Sequence, residues 1–178
     1  MSVEKATEIV RNLPAEVTTV GVFVNESLDR ILRVVSTTGI TTIQLHGEEP
    51  AALAGSLGRP LIRSVTLDDA ARVCKEWPVD TTLLVDALDP VRRGGTGIVV
   101  DWSRAAAIAR ERRVVLAGGL TPSNVADAIA AVRPYGVDVS SGVEAAPGVK
   151  DLDKVTQFLA NARSAFEAMA ADERPVAR

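Results

Sequence analysis

Short apolar runs alternate along the chain with longer runs in which apolar residues recur every three or four positions. The short runs are Thr19–Val24 (TVGVFV), Thr42–Leu45 (TIQL), Leu61–Val65 (LIRSV), Thr82–Val85 (TLLV), Val114–Ala117 (VVLA) and Val137–Val139 (VDV). Each is rich in Val, Ile, Leu or Thr and bounded by Gly, Pro, Asn or charge, the pattern of buried parallel strands. From Ser27 onward, Leu28, Ile31, Leu32 and Val35 fall on one helical face while Asp29, Arg30 and Arg33 fall on the other. Ser27 is placed to cap that helix, and Gly39 supplies a backbone able to leave it left-handed. Thr121-Pro122 predicts the start of another helix with the stripe Val125, Ala128, Ile129 and Val132. A last helix from about Asp151 is expected to bury Leu152, Val155, Phe158, Leu159 and Ala162. The residues from 167 to 178, ending DERPVAR, show no stripe and are expected to fray.

This reading yields six strands, each followed by a helix, and one helix ahead of the first strand. Alternating β and α segments predict an α/β fold with a parallel sheet, because parallel neighbours need a crossover of about a dozen residues. A closed (βα)8 barrel and an open doubly wound sheet both satisfy the pattern.

The length of 178 residues fits one domain, taken as residues 1–166. Apolar residues at 47% and charged residues at 24% exclude a wholly disordered chain. Lys plus Arg number 20 against 23 Asp plus Glu, a net charge of −3, and only 3% of residues are aromatic. That balance argues against nucleic acid as a partner. Arg92-Arg93 and the cluster Arg110 to Arg113 read as solvated surface. No apolar run approaches the roughly 18 residues of a membrane helix. With one cysteine, Cys74, and no apolar leader at the start, the expected compartment is the cytoplasm.

In parallel α/β folds chemistry collects where strands end. Those ends carry Asn25, His46-Gly47, Ser64 to Thr66, Asp86, Gly118-Gly119 and Ser140-Ser141-Gly142. Gly118-Gly119 and Ser141-Gly142 leave amides unobstructed, as a phosphate requires, although tight turns alone also call for glycine. Asp86 suits a general acid with a raised pKa, or a helix cap, or an ion pair with Arg92 or Arg93. Asp138 is open to the same readings. His46 suits a proton shuttle or a hydrogen-bonded structural residue. The segment 94–102 (GGTGIVVDW) has the composition of a lid, and Cys74, beside Val73 and Trp77, reads as a small buried hydrophobe.

Taken together, VGVFVNESLDRIL (20–32), IQLHGEE (43–49), LLVDA (83–87), GGTGIVVDWS (94–103), LAGGLTPSNVADAI (116–129) and RPYGVDVSSGVEAAPGVKD (133–151) resemble phosphoribosylanthranilate isomerase, a (βα)8-barrel family of tryptophan biosynthesis. The resemblance implies an isomerase that performs an Amadori rearrangement of N-(5-phosphoribosyl)anthranilate. It implies no cofactor and no metal, because the substrate nitrogen is itself the electron sink. On it Asp86 is the general acid, His46 and Asp138 contact substrate, and Gly118, Gly119, Ser141 and Gly142 bind phosphate.

The same resemblance implies a general-base cysteine in a KICGIT-like first strand and an arginine ahead of the second helix, neither matched in this sequence. MSVEKATEIV resembles the start of that second helix. The expectation is therefore a barrel truncated to about six strands, lacking the first strand, first helix and second strand. Such a chain is expected to be impaired in turnover, or to be a non-catalytic relative binding a phosphorylated ligand or a partner. It would expose sheet edges on TVGVFV and VDV, inviting homo-oligomers or strand exchange.

Overall fold

The computed structural model describes residues 1–86 and 101–172. Six parallel strands, β1 (Val20–Phe23), β2 (Thr42–Leu45), β3 (Leu61–Val65), β4 (Thr82–Val85), β5 (Val114–Leu116) and β6 (Gly136–Val137), form one sheet in chain order. Residues form two compact units, Met1–Val65 with Arg72–Leu83, and Thr66–Ala71 with Leu84–Arg178. No helix among the described residues is long and apolar enough to cross a membrane.

In the first unit, helix α1 (Val3–Asn12) precedes β1, and α2 (Leu28–Thr38) connects β1 to β2. The Ser27 hydroxyl accepts from the Arg30 amide at 3.4 Å, and Gly39 ends α2 with φ 78°, as the sequence predicts. Ile31 and Val35 are the buried part of its stripe. After β2 the connection is a 3-10 turn, Ala51–Ser56, where an α-helix was expected. Helix α3 (Ala70–Glu76) follows β3 and buries Val73, with Trp77 just beyond it. Cys74 is half-buried there.

The register Gly21↔Ile43 and Ile43↔Leu61 separates two faces of this part of the sheet. Gly21, Ile43, Leu45, Leu61, Arg63 and Val65 are buried on one. Val20, Val22 and Val24 alternate onto the other and are exposed, Val22 at 58%. The TVGVFV run is thus buried on one face only. β1 ends the strand order, so one backbone edge of it has no strand neighbour in that order.

A buried ion pair joins the ends of these strands. Glu49 Oε2 lies 2.7 Å from Arg63 Nη1, and both residues are buried. The carboxylate also accepts from the Asn25 amide at 2.6 Å and the Gly47 amide at 2.9 Å. The Arg63 guanidinium sits 5.1 Å from the centroid of the Trp77 ring. Besides each other, three partners hold the two charges, which is what makes their burial tolerable.

In the second unit, helices α4 (Trp102–Ala109), α5 (Val125–Val132) and α6 (Leu152–Asp172) surround β5 and β6, and β7 (Glu144–Ala146) pairs antiparallel with β8 (Val149–Lys150). Three expectations are corrected here. Helix α5 begins at Val125, not at Thr121-Pro122, because Asn124 forms the turn that starts it. Leu152 is 78% exposed and Leu159 is also exposed, since only Phe158 and Ala162 of α6 are buried. Helix α6 runs through Asp172, where Arg133 Nη1 donates to the Asp172 carboxylate at 3.1 Å. Residues 173–178 lie outside the described residues. Within the Arg110 to Arg113 cluster, Arg112 is buried, not solvated.

Glu49→Ala removes one member of a buried pair and strands the Arg63 charge with two unmet amides. The expected loss of unfolding free energy is about 3–5 kcal/mol, measured by urea denaturation. A surface pair such as Lys5–Glu8 gives the contrast, with a loss of about 0–1 kcal/mol on Glu8→Ala.

Candidate active site

Within the second unit the carboxyl ends of three strands lie side by side. The Ala117 amide donates to the Val85 carbonyl at 2.8 Å, and the Asp138 amide donates to the Leu116 carbonyl at 2.8 Å. Asp86, Gly118 and Asp138 are therefore the residues at or just past the last paired positions of β4, β5 and β6. Asp86 is half-buried and Asp138 exposed. Strand β6 ends at Val137, so Asp138 stands outside the strand in which the sequence placed it.

The two glycine turns meet. Gly118 and Gly119 have φ of 83° and 66°, a left-handed pair that residues with a Cβ rarely adopt. Asn124 locks the turn they begin: its Oδ1 accepts from the Thr121 amide at 2.8 Å, and its Nδ2 donates to the Gly119 carbonyl at 3.0 Å. Gly142 packs directly on Leu120, and a Cβ at 142 would overlap the Leu120 carbonyl oxygen. Glycine is thus required at 142 by close approach and at 118–119 by backbone angle. Ser141–Val143 is a single 3-10 turn. Its entry is held by Lys150, whose Nζ donates to the Ser140 carbonyl at 2.8 Å and to Glu144 Oε1 at 2.9 Å.

Sequence reasoning missed Asn124 and Lys150. Asn124 had a signal, a side chain able to cap α5 three residues after Thr121. Lys150 had none, because its partner Ser140 comes from another element.

Glu144 sits in the same cluster. The Lys150 ammonium first, and then the Gly148 amide, hold its carboxyl below the ordinary value of 4.5. The Asp101 carboxyl is likewise lowered, by the Ser103 hydroxyl and then the Arg104 amide, as it caps α4.

His46 belongs to the first unit, where it follows β2. Its amide donates to the Phe23 carbonyl at 2.8 Å, and its Nδ1 lies 2.7 Å from Ser64 Oγ and 3.1 Å from Gln44 Nε2. Asp86, Asp138, Gly118, Gly119, Ser141 and Gly142 all fall in the second unit. Residues 94–100 of the segment read as a lid, and Arg92 and Arg93, lie outside the described residues. Cys74, on α3, is not at a strand end. Among the described residues no cluster of His, Cys, Asp and Glu is arranged to hold a metal ion.

Parallel strands in chain order, wrapped by helices and ending in an acid and paired glycine turns, define an enzyme of the (βα)8-barrel class. The pattern of the N-(5'phosphoribosyl)anthranilate (PRA) isomerase family matches residues 1–161. N-(5'-phosphoribosyl)anthranilate isomerase of Roseiflexus castenholzii is 48% identical over 167 residues, covering 91% of this chain and 78% of that protein. The crystal structure of phosphoribosyl anthranilate isomerase from Thermotoga maritima superposes with a TM-score of 0.83 at 40% identity, over 92% of this chain and 82% of that one. A structure of the enzyme in complex with reduced 1-(o-carboxyphenylamino)-1-deoxyribulose 5-phosphate superposes with a TM-score of 0.79 at 39% identity, over 92% of this chain and 80% of that one.

The chain belongs to the PRA isomerase family, isomerases of tryptophan biosynthesis. These matches lend no support to the expected missing segment, to impaired turnover, to the non-catalytic alternative or to oligomer formation.

The lowered Glu144 carboxyl gives a pH prediction. Because its folded pKa lies below 4.5, its ion pair stabilises the fold above 4.5 and that contribution is lost as pH falls through the folded value. Urea midpoints measured against pH should fall more steeply on the acid side for the parent chain than for Glu144→Gln, with the two curves parallel above neutrality.

Proposed function

We propose that the chain rearranges N-(5-phosphoribosyl)anthranilate to 1-(2-carboxyphenylamino)-1-deoxyribulose 5-phosphate, with Asp86 as general acid. Asp86 protonates the ribose ring oxygen, the ring opens to a Schiff base, a base removes the C2 proton, and the enolamine tautomerises. The anthranilate nitrogen takes up the electron pair, so the reaction runs without a cofactor. Amides of Gly118, Gly119, Ser141 and Gly142 hold the phosphate, and Asp138 and His46 contact the sugar.

The observation that carries this reading is the seating of Gly142 on Leu120. It joins the turns after β5 and β6, the place where (βα)8 barrels frequently bind phosphate. No hydrogen bond among the described residues uses the amides of Gly118, Gly119, Ser141 or Gly142. Donors already fixed in place meet an anion without a cost of reorganisation. Further support comes from relatives named for this reaction and from the phosphorylated product analogue bound to one of them. Cys74 is not given the role of base, since it lies on α3, away from any strand end.

The test is turnover of N-(5-phosphoribosyl)anthranilate by the purified chain, followed by loss of substrate fluorescence, with complementation of a tryptophan auxotroph alongside. Asp86→Asn is expected to lower kcat by about 10²–10⁴, the ordinary contribution of a general acid. No turnover by the parent chain overturns the reaction, and unchanged kcat in Asp86→Asn overturns the acid.

Gly142→Ala forces the turn away from Leu120 and should weaken binding of the phosphorylated product by about tenfold or more. That is the scale of one lost hydrogen bond to a charged group, about 1.5–3 kcal/mol. Calorimetric titration with the product checks it, and an unchanged Kd removes the turn from the phosphate site.

A further inference from the structure

His46 is the sole histidine of the chain. Its ring is held by two neighbours whose chemistry fixes where its proton sits. Gln44 and His46 are two residues apart on β2 and its end, so their side chains leave the same face of the sheet. The ladder pairs Gln44 with Ile62 and Leu45 with Arg63, which brings Ser64 level with His46 on that face.

The Gln44 side-chain Nε2 donates to Ser64 Oγ at 3.1 Å and also approaches His46 Nδ1 at 3.1 Å. An amide NH2 has hydrogens and no lone pair to offer, so Nδ1 must accept. With Nδ1 an acceptor, Ser64 Oγ at 2.7 Å must turn its own hydrogen toward it, because two lone pairs at that distance would repel. Gln44 and Ser64 then share the single Nδ1 lone pair, and a proton on Nδ1 would point at the donors of Gln44. Among the described residues Nε2 has no hydrogen-bond partner.

We infer that Gln44 and Ser64 are positioning residues that fix His46 as the neutral tautomer with its proton on Nε2, so that it meets the phosphosugar as a hydrogen-bond donor. The inference deepens the substrate-contact role proposed for His46 and rests on that reading for its catalytic meaning. Its structural half stands on the triangle alone. Of the two roles the sequence left open for His46, the proton shuttle is set aside in this proposal. Two donors aimed at Nδ1 disfavour a further proton there, so the geometry favours the donor role. A neutral imidazole donor polarises a substrate oxygen without presenting a full charge.

A single histidine makes the test direct. Two-bond proton–nitrogen correlation spectra of the whole chain, labelled with nitrogen-15, are recorded at about pH 8, above the ordinary histidine range. The parent chain should show a pyridine-type Nδ1 and a pyrrole-type Nε2. Gln44→Glu replaces the donor by an acceptor and should protonate Nδ1, giving either the other tautomer or the imidazolium. Gln44→Leu with Ser64→Ala should relax the spectrum toward that of free imidazole in mobile exchange. A pyrrole-type Nδ1 in the parent chain, or a Gln44→Glu spectrum identical to the parent's, overturns the assignment.

The kinetic arm separates the two halves. With the urea midpoint retained, Gln44→Glu should raise KM or lower kcat for N-(5-phosphoribosyl)anthranilate by at least about tenfold, the worth of one hydrogen bond to substrate. Unchanged kcat and KM in His46→Gln overturn the donor role even where the spectra show the locked tautomer. Because the spectra need no substrate, a chain without turnover defeats the isomerase reading and leaves the tautomer result to be judged by itself.

Discussion

A parallel sheet leaves backbone amides at the carboxyl ends of its strands, and each must find an acceptor or stand ready for one. Much of what is specific to this chain follows from how those ends are met. In the first unit the acceptor is built in. The Glu49 carboxylate takes the amides of Asn25 and Gly47, and Arg63 neutralises it from β3. Asn25, at φ 53°, turns back so that its own Oδ1 accepts from the Glu48 amide at 2.6 Å. In the second unit the corresponding amides belong to glycine turns, and the proposed acceptor is the phosphate of the substrate. The same requirement thus has an internal carboxylate as one answer and an external anion as the other.

Both solutions depend on side chains that fix the loop before anything binds. Asn124 ties the Gly119–Thr121 turn to the start of α5, and Lys150 ties Ser140 to the β7–β8 hairpin. Lys154 adds a bond from its Nζ to the Glu144 carbonyl at 2.8 Å, and Asn161 of α6 donates to the Pro122 carbonyl at 2.7 Å. Helix α6 therefore does more than cover the sheet. It braces the segments beside both turns of the proposed phosphate site through polar contacts.

The strands were legible because a parallel strand is short, β-branched and bounded by breakers. β2, β3 and β4 run over the very residues the pattern marks out. Capping chemistry was legible for the same local reason, as Ser27 and Gly39 show. What was not legible was non-local. Nothing in the sequence pairs Glu49 with Arg63, and only the folding of β2 against β3 buries them together. Thr121-Pro122 carries the right residues for a helix start, yet Asn124 wins the cap by bonding back to the turn. Leu152 and Leu159 follow a helical stripe that the tertiary structure leaves exposed. Of the candidate site, the glycines and acids were readable as residues at strand ends, while the contact that joins the turns, Gly142 on Leu120, was not.

The proposed division of labour between Asp86 and His46 follows from the same local physics. Ring opening needs a group that gives a proton away and later takes one back, so its lone pairs must be available when the proton has left. That task is the one proposed for the Asp86 carboxyl group. In the proposed tautomer the His46 Nδ1 accepts from Gln44 and Ser64, which disfavours a further proton there. A histidine held in this way keeps a single donor aimed by two fixed neighbours, and side-chain freedom that would otherwise be lost on binding is already lost in the free protein. On that proposal acid chemistry stays with the carboxylate beyond β4, and His46 recognises the sugar without changing its charge.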